Sequence, residues 1–174
     1  MRALGPGSVS SFLKIILDVV YAALWIALGA VGLAMLAALL FTFNPDLFPA
    51  VVSADVAVVT SRGPLVAGAL AVAGLSIGGV LVIVDALRRI FVTLTAGDPF
   101  HPQNVRRLRL IGLMLGALEL GRYAVWAVAP LIRGVKDVRP NFNLTAWFSV
   151  LVVFVLAEVF REGARLRREA ELTI

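Results

Sequence analysis

The chain has 174 residues, of which 60% are hydrophobic, with a mean hydropathy of +0.96 and a formal net charge of +5. Soluble domains contain about 45–50% apolar residues, so this composition excludes an ordinary water-soluble globule and favours a protein that faces lipid. The absence of cysteine excludes disulfides, thiolate nucleophiles and cysteine metal sites.

The first predicted element is a transmembrane helix over about 12–43. No charged residue occurs in 19–43, and about 20 residues suffice to cross the hydrocarbon core. The apolar run exceeds the roughly 7–15 residues of a signal-peptide core, so we interpret it as a retained span. Residues 44–63 then form a connection. Within it, 50–60 is rich in valine with partial alternation, which allows a short extracytoplasmic β segment.

The second predicted span covers about 64–87 and begins at Pro64, a residue suited to the first turn of a helix. A loop over 88–107 follows. It contains Gly97, Pro99 and Pro102, which stop one helix and begin the next.

Two further spans are predicted over about 108–130 and 143–160, followed by a charged tail, 161–174. The expected fold is an all-α membrane protein with one domain, 1–174, built as a four-helix transmembrane bundle.

Basic residues indicate the orientation of these spans. With the odd spans running outward, one side holds eleven bases and the other four, so the positive-inside rule puts both termini, loop 88–107 and tail 161–174 in the cytoplasm. The eleven are Arg2, Lys14, Arg88, Arg89, Arg106, Arg107, Arg109, Arg161, Arg165, Arg167 and Arg168; the four are Arg62, Arg133, Lys136 and Arg139. Because these bases flank apolar blocks, we expect contact with the lipid bilayer and no direct binding of nucleic acid.

Glu119 and Arg122 lie inside the third span. Ionisable residues there are costly and are functional candidates. Since the two are three residues apart on one helix, they can also neutralise each other. Three interpretations stay open: a self-paired structural contact, a proton or ligand pathway, and a contact to a partner subunit.

Three acids, Asp18, Asp85 and Glu158, are expected near the cytoplasmic ends of their spans. They allow either an acidic cluster that binds a cation or ion pairs with local bases, namely Lys14, Arg88 or Arg89, and Arg161 respectively. His101 is the only histidine, which excludes a recognisable zinc site or catalytic triad. We therefore predict no metal, no cofactor and no enzyme activity.

Two small-xxx-small pairs, Gly74 with Gly78 and Gly112 with Gly116, favour close helix packing. Packing within the monomer is preferred over a homo-oligomer. In the tail, Leu166, Ala170 and Ile174 form a thin apolar stripe at four-residue spacing, typical either of a helix on lipid headgroups or of a docking strip.

Two segments carry a resemblance to a known family. Gly97-Asp98-Pro99-Phe100 with Pro102 and Asn104 to Leu108 resembles the central loop of the bacterial domain-of-unknown-function family 2975. Phe160 to Leu166, with Glu171 to Ile174, resembles its C-terminal signature. Arg168-Glu169-Ala170 is more basic than the corresponding family stretch.

The resemblance implies a protein of the bacterial inner membrane without established enzyme activity. It also implies a helix-turn-helix regulator of the Xre/Cro type as a partner, held at the loop and tail. Candidate docking residues are Asp98, Pro99, Phe100, Asn104, Arg161, Glu162, Arg165 and Leu166. The alternative function is a small transporter or toxin-resistance protein that uses Glu119 and Arg122.

Overall fold

The structure is a computed structural model that describes residues 9–43, 63–131 and 141–172. These residues form four helices, each long and apolar enough to cross a membrane, as expected of a multi-pass membrane protein. The helices are α1 (Val9–Phe43), α2 (Gly63–Thr95), α3 (Pro102–Val128) and α4 (Leu144–Glu171). A short 3-10 turn, Ala129–Leu131, follows α3 directly.

The part of the chain that the structure describes is entirely helical, so the all-α prediction is confirmed for these residues. No strand occurs among them. The segment 50–60, for which a β segment was considered, lies outside the described residues.

Helix α2 is longer than a span requires. Its 33 residues extend about 50 Å at 1.5 Å per residue, against about 30 Å of hydrocarbon. It therefore continues past the predicted span end at residue 87, because charged side chains do not stop a helix once it leaves lipid. Gly97 stops it, with a φ of 81°.

The helix end at Gly97 is a Schellman motif. The Asp98 amide donates to the Thr93 carbonyl and the Gly97 amide to the Leu94 carbonyl, both at 3.1 Å. These two bonds satisfy carbonyls that would otherwise lack partners, and the left-handed backbone that they need is easily adopted only by glycine.

The chain divides into two compact units, one of which is Val20–Leu81. Inside this unit α2 packs on α1 through glycines. A Cβ at Gly74 would lie 3.7 Å from Val31 Cγ1 on α1, and a Cβ at Gly63 would overlap Thr42. The approach of the two helices therefore requires glycine at position 63, whereas a Cβ at position 74 would make an ordinary van der Waals contact.

The other unit comprises Met1–Val19 and Val82–Ile174. Its apolar core joins α2, α3 and α4 near the loop that connects α2 to α3. The buried members are Ala86, Ile90, Leu108, Ile111 and Ala157. From this core α3 and α4 continue as an antiparallel pair. Along that pair, the ring of Phe154 fills the space next to Gly112, so the first glycine of the second predicted pair serves packing within the chain.

Candidate functional site

The loop between α2 and α3 is built around one buried polar side chain, Asn104, which is 0% exposed. Its Nδ2 donates to Thr93 Oγ1 at 2.7 Å and to the Pro99 carbonyl at 3.1 Å. Its Oδ1 accepts from Arg107 Nη1 at 3.0 Å. Both N–H donors and the oxygen of the Asn104 amide therefore have hydrogen-bond partners. These bonds offset the free-energy cost of burying the amide and hold the loop in place.

Helix α3 begins with a capped turn that gives the loop a second support. His101 is the N-cap, and its Nδ1 accepts from the Gln103 amide at 3.2 Å. Pro102 occupies the first helical position, where its missing N–H costs nothing. Arg107 donates to the carbonyl of Arg89 on α2 at 3.0 Å, so it also ties the two helix ends together.

The loop lies directly against the C-terminal part of α4. Asp98 Oδ1 and Arg167 Nη1 are 2.5 Å apart, and the rings of Phe100 and Phe160 are 5.6 Å apart at an angle of 51°. A Cβ at Gly163 would lie 2.6 Å from Phe100 Cδ1, closer than carbon atoms approach. We call Asp98, Phe100, Phe160, Gly163 and Arg167 the loop–tail contact.

The loop–tail contact divides the candidate docking residues into two groups. Asn104 is fully buried, so it holds the loop and offers nothing to a partner. Asp98 pairs with Arg167, the Pro99 carbonyl accepts from Asn104, and Phe100 covers Gly163. The remaining candidates face outward on α4: Arg161, Glu162, Arg165 and Leu166.

The outward face of this part of α4 is ordered by ion pairs along the helix. Arg165 lies 3.1 Å from Glu169 and 3.6 Å from Glu162. Leu166, beside them, is 55% exposed although it lies in the charged part of the helix. This face of α4 therefore combines one exposed apolar side chain with paired charges.

A second polar group lies within α3 and α4, well away from the loop in sequence. Arg122 Nη2 donates to Glu119 Oε1, and Tyr123 lies one turn after Glu119 on the same face of α3. Trp147 Nε1 on α4 donates to the Tyr123 hydroxyl at 3.2 Å. With Trp126, these residues form what we call the Glu119 cluster.

The guanidinium of Arg122 is covered by rings. It lies 4.5 Å from the Trp126 ring centroid and 5.5 Å from that of Tyr123, distances typical of cation–π contacts. Its Nε is buried and has no hydrogen-bond partner among the described residues. Glu119 is 8% exposed. The carboxyl is thus enclosed by its own chain, whereas the side chain of Arg122 stays 36% exposed.

The three predicted inner-face acids lie in separate ion pairs. Asp18 pairs with Arg88 of α2 at 2.6 Å rather than with Lys14, because α2 brings a guanidinium next to α1. Asp85 pairs with Arg89 at 2.7 Å. Glu158 pairs with Arg161, and Arg109 Nη2 lies 3.9 Å from it. Within the described ranges no group of acids and histidine could hold a metal ion.

Several residues that shape these sites were not singled out from the sequence. Gly163 carries a signal, because a glycine in the interior of a charged helix costs about 1 kcal/mol relative to alanine and therefore indicates a close contact. Tyr123 follows Glu119 by four residues, a spacing that brings side chains together on a helix. Nothing local identifies Thr93 or Arg167, whose partners come from other elements.

Comparison with known proteins gives one match. A family model described as a protein of unknown function, DUF2975, matches residues 54–174. This range includes the loop motif and the C-terminal motif, so the resemblance read from those residues is confirmed. No curated protein and no solved structure matches the chain.

Proposed function

The chain belongs to the DUF2975 family of proteins of unknown function, and we propose that it acts by binding a cytoplasmic regulator, without catalysis, at the inner bacterial membrane. The binding surface is the outward face of the loop and tail. The proposed partner is a helix-turn-helix regulator of the Xre/Cro type, the partner that the family resemblance suggests.

One observation supports this proposal above the others: the loop and the tail fold onto each other. The exposed ion pair between Asp98 and Arg167 contributes only about 0–1 kcal/mol to stability. The same segment also contains the buried, hydrogen-bonded Asn104, and the ring of Phe100 packs on Gly163. A segment that merely connected two spans would not require such specific packing. The contact presents Leu166 and its charged neighbours on a rigid element.

The distribution of bases supports a cytoplasmic location for this surface, because eleven of the chain's 16 Lys and Arg belong to that side in the predicted topology. The absence of cysteine makes the orientation directly testable. A single cysteine at Arg168 should resist a membrane-impermeant maleimide in intact cells and react after permeabilisation. Labelling of intact cells would place the tail outside and overturn the proposal.

The partner is tested by affinity capture of the full chain from its own cells, after cross-linking and detergent extraction, with mass spectrometry of the captured proteins. We expect a helix-turn-helix protein in the wild-type sample and its loss from Leu166→Ser. That substitution changes a side chain that is 55% exposed and belongs to neither the apolar core nor the loop–tail contact.

The matched control is Leu131→Ser, because Leu131 is also exposed and apolar, at 81%, but follows α3 at its other end. It should keep the partner. Capture that survives both Leu166→Ser and removal of 165–174 would refute the assignment of the docking surface.

A second candidate function is transport or resistance to a membrane-active toxin through the Glu119 cluster. It is favoured by a carboxyl, a guanidinium and a phenol that meet inside a span. Glu119→Gln should then abolish flux or survival at normal expression, and unchanged activity would eliminate this candidate.

A further inference from the structure

Two arginines, one on α3 and one on α4, approach a single carboxylate, and a third arginine lies on the preceding turn of α3. Arg109 and Arg161 both approach Glu158, from α3 and from α4 respectively. Arg106 precedes Arg109 by three residues and therefore lies next to it on the helix surface. We call Arg106, Arg109 and Arg161 the arginine patch.

The arginine patch carries more positive charge than its surroundings neutralise. Arg106 is exposed and makes no ion pair within the described part of the chain. Glu158 is shared, and Arg109 lies 3.9 Å from it, at the outer limit of an ion pair. The patch thus has three positive charges, and among the described residues Glu158 is the one carboxylate within ion-pair distance of any of them, so a surplus of two positive charges remains.

The position of the patch along the helices indicates which anion it meets. Asn143, the N-cap of α4, and Arg161 are 18 residues apart, about 27 Å of helix and close to the roughly 30 Å of hydrocarbon. Next to the patch begins an apolar surface that the described residues leave partly exposed. Its exposed members are Leu110, Leu113, Val155 and Val159.

We propose that the arginine patch binds the phosphate of an anionic phospholipid headgroup, with the acyl chains on the adjacent apolar surface. Guanidinium groups match phosphate geometry with paired N–H donors. A headgroup at this depth can use both the surplus charge and the lipid-facing leucines and valines, whereas a free phosphate or an acidic peptide would use only the charge. This proposal does not depend on the docking function of the tail.

The test measures lipid binding to the full chain in detergent, by native mass spectrometry and by thermal stabilisation. The probes are phosphatidylglycerol, phosphatidylcholine and inorganic phosphate. We expect retention and stabilisation with phosphatidylglycerol alone. An equal effect of inorganic phosphate would overturn the lipid assignment, and an equal effect of phosphatidylcholine would overturn the role of charge.

Two variants with opposite expected effects on phosphatidylglycerol binding test the assignment of the site. Arg106→Gln removes a surplus charge without breaking an ion pair and should weaken phosphatidylglycerol binding about fivefold, since one base near the surface contributes about 1 kcal/mol. Glu158→Gln releases Arg109 and Arg161 and should strengthen it. A merely destabilised protein would lose binding in both variants.

Lys14→Gln is the matched control, because it removes one exposed positive charge from another helix at the same predicted membrane face. It should change binding far less than Arg106→Gln. Equal losses in the two variants, or weaker binding by Glu158→Gln, would refute a specific site.

Discussion

The loop–tail contact and the Glu119 cluster both hold α4, the first against the loop between α2 and α3 and the second against α3, but they do so with different chemistry. The loop–tail contact combines an exposed ion pair with an aromatic ring on a glycine, beside a buried asparagine. The Glu119 cluster combines an ion pair with aromatic rings within a span, and it leaves Arg122 Nε without a hydrogen-bond partner among the described residues. Packing thus holds the loop–tail contact together, and charge neutralisation holds the Glu119 cluster together. Different substitutions should therefore destabilise the two regions.

The largest loss of stability should come from Gly163→Val. The new side chain must displace the ring of Phe100, which would lie 2.6 Å from its Cβ. We expect a loss of about 3 kcal/mol, at the upper end for overpacking, measured as unfolding free energy in a denaturing-detergent titration.

The control for that variant is Gly116→Ala, because a Cβ at Gly116 meets nothing within 4 Å. In addition, Gly163→Val should cost much less in a Phe100→Ala background. Equal costs in the two backgrounds would mean that the contact with Phe100 is not what requires glycine.

Asn104→Leu should have the next largest effect, about 2 kcal/mol, because it leaves the Pro99 carbonyl and an Arg107 donor without their partner. The loss should appear as faster amide exchange at residues 97–104, with the exchange of 119–126 unchanged. Gln103→Ala serves as a control, since Gln103 accepts only one exposed bond from Arg107. Faster exchange in both regions would show that the two regions are not independent.

A smaller loss is expected for Glu119→Gln, because the amide can still accept a hydrogen bond from Arg122 although the ion pair is lost. The expected signature is a change in tryptophan fluorescence, since Trp126 and Trp147 both belong to this cluster. Glu162→Gln, which alters an exposed ion pair on the tail, should leave that fluorescence unchanged. An unaltered spectrum in Glu119→Gln would contradict the coupling between carboxyl and rings.

The smallest effect should be that of Asp98→Asn, below about 1 kcal/mol, because both members of the pair with Arg167 are partly exposed. Exchanging the charges, as Asp98→Arg with Arg167→Asp, should restore the stability that either single reversal removes. A double variant no better than the singles would show that the pair does not contribute to the loop–tail contact.

The sequence predicts the helices of this protein well because its uncharged runs are long. It predicts helix ends less well: α2 continues to Thr95 although Asp85, Arg88 and Arg89 follow its apolar run, since charged residues are good helix formers in water. Gly97 was recognisable as a stop because it precedes a proline-rich stretch.

The ion pairs between different elements could not be predicted from the sequence for a different reason. Asp98 and Arg167 are 69 residues apart, and several other arginines on the same side were equally plausible partners. Likewise Asp18 was expected to pair with Lys14 within its own helix, whereas Arg88 is its partner. Glu119 and Arg122, three residues apart on one helix, did not require tertiary information.

Helix α4 is unbroken from Leu144 to Glu171, so the distance between any two of its residues is fixed by the helical rise. Trp147, bonded to Tyr123, and Arg167, bonded to Asp98, are 20 residues apart, about 30 Å of rigid helix. The depth at which the bilayer holds Trp147 therefore also sets how far the tail projects from the membrane. A shift of one end along the helix axis therefore moves the other end by the same distance.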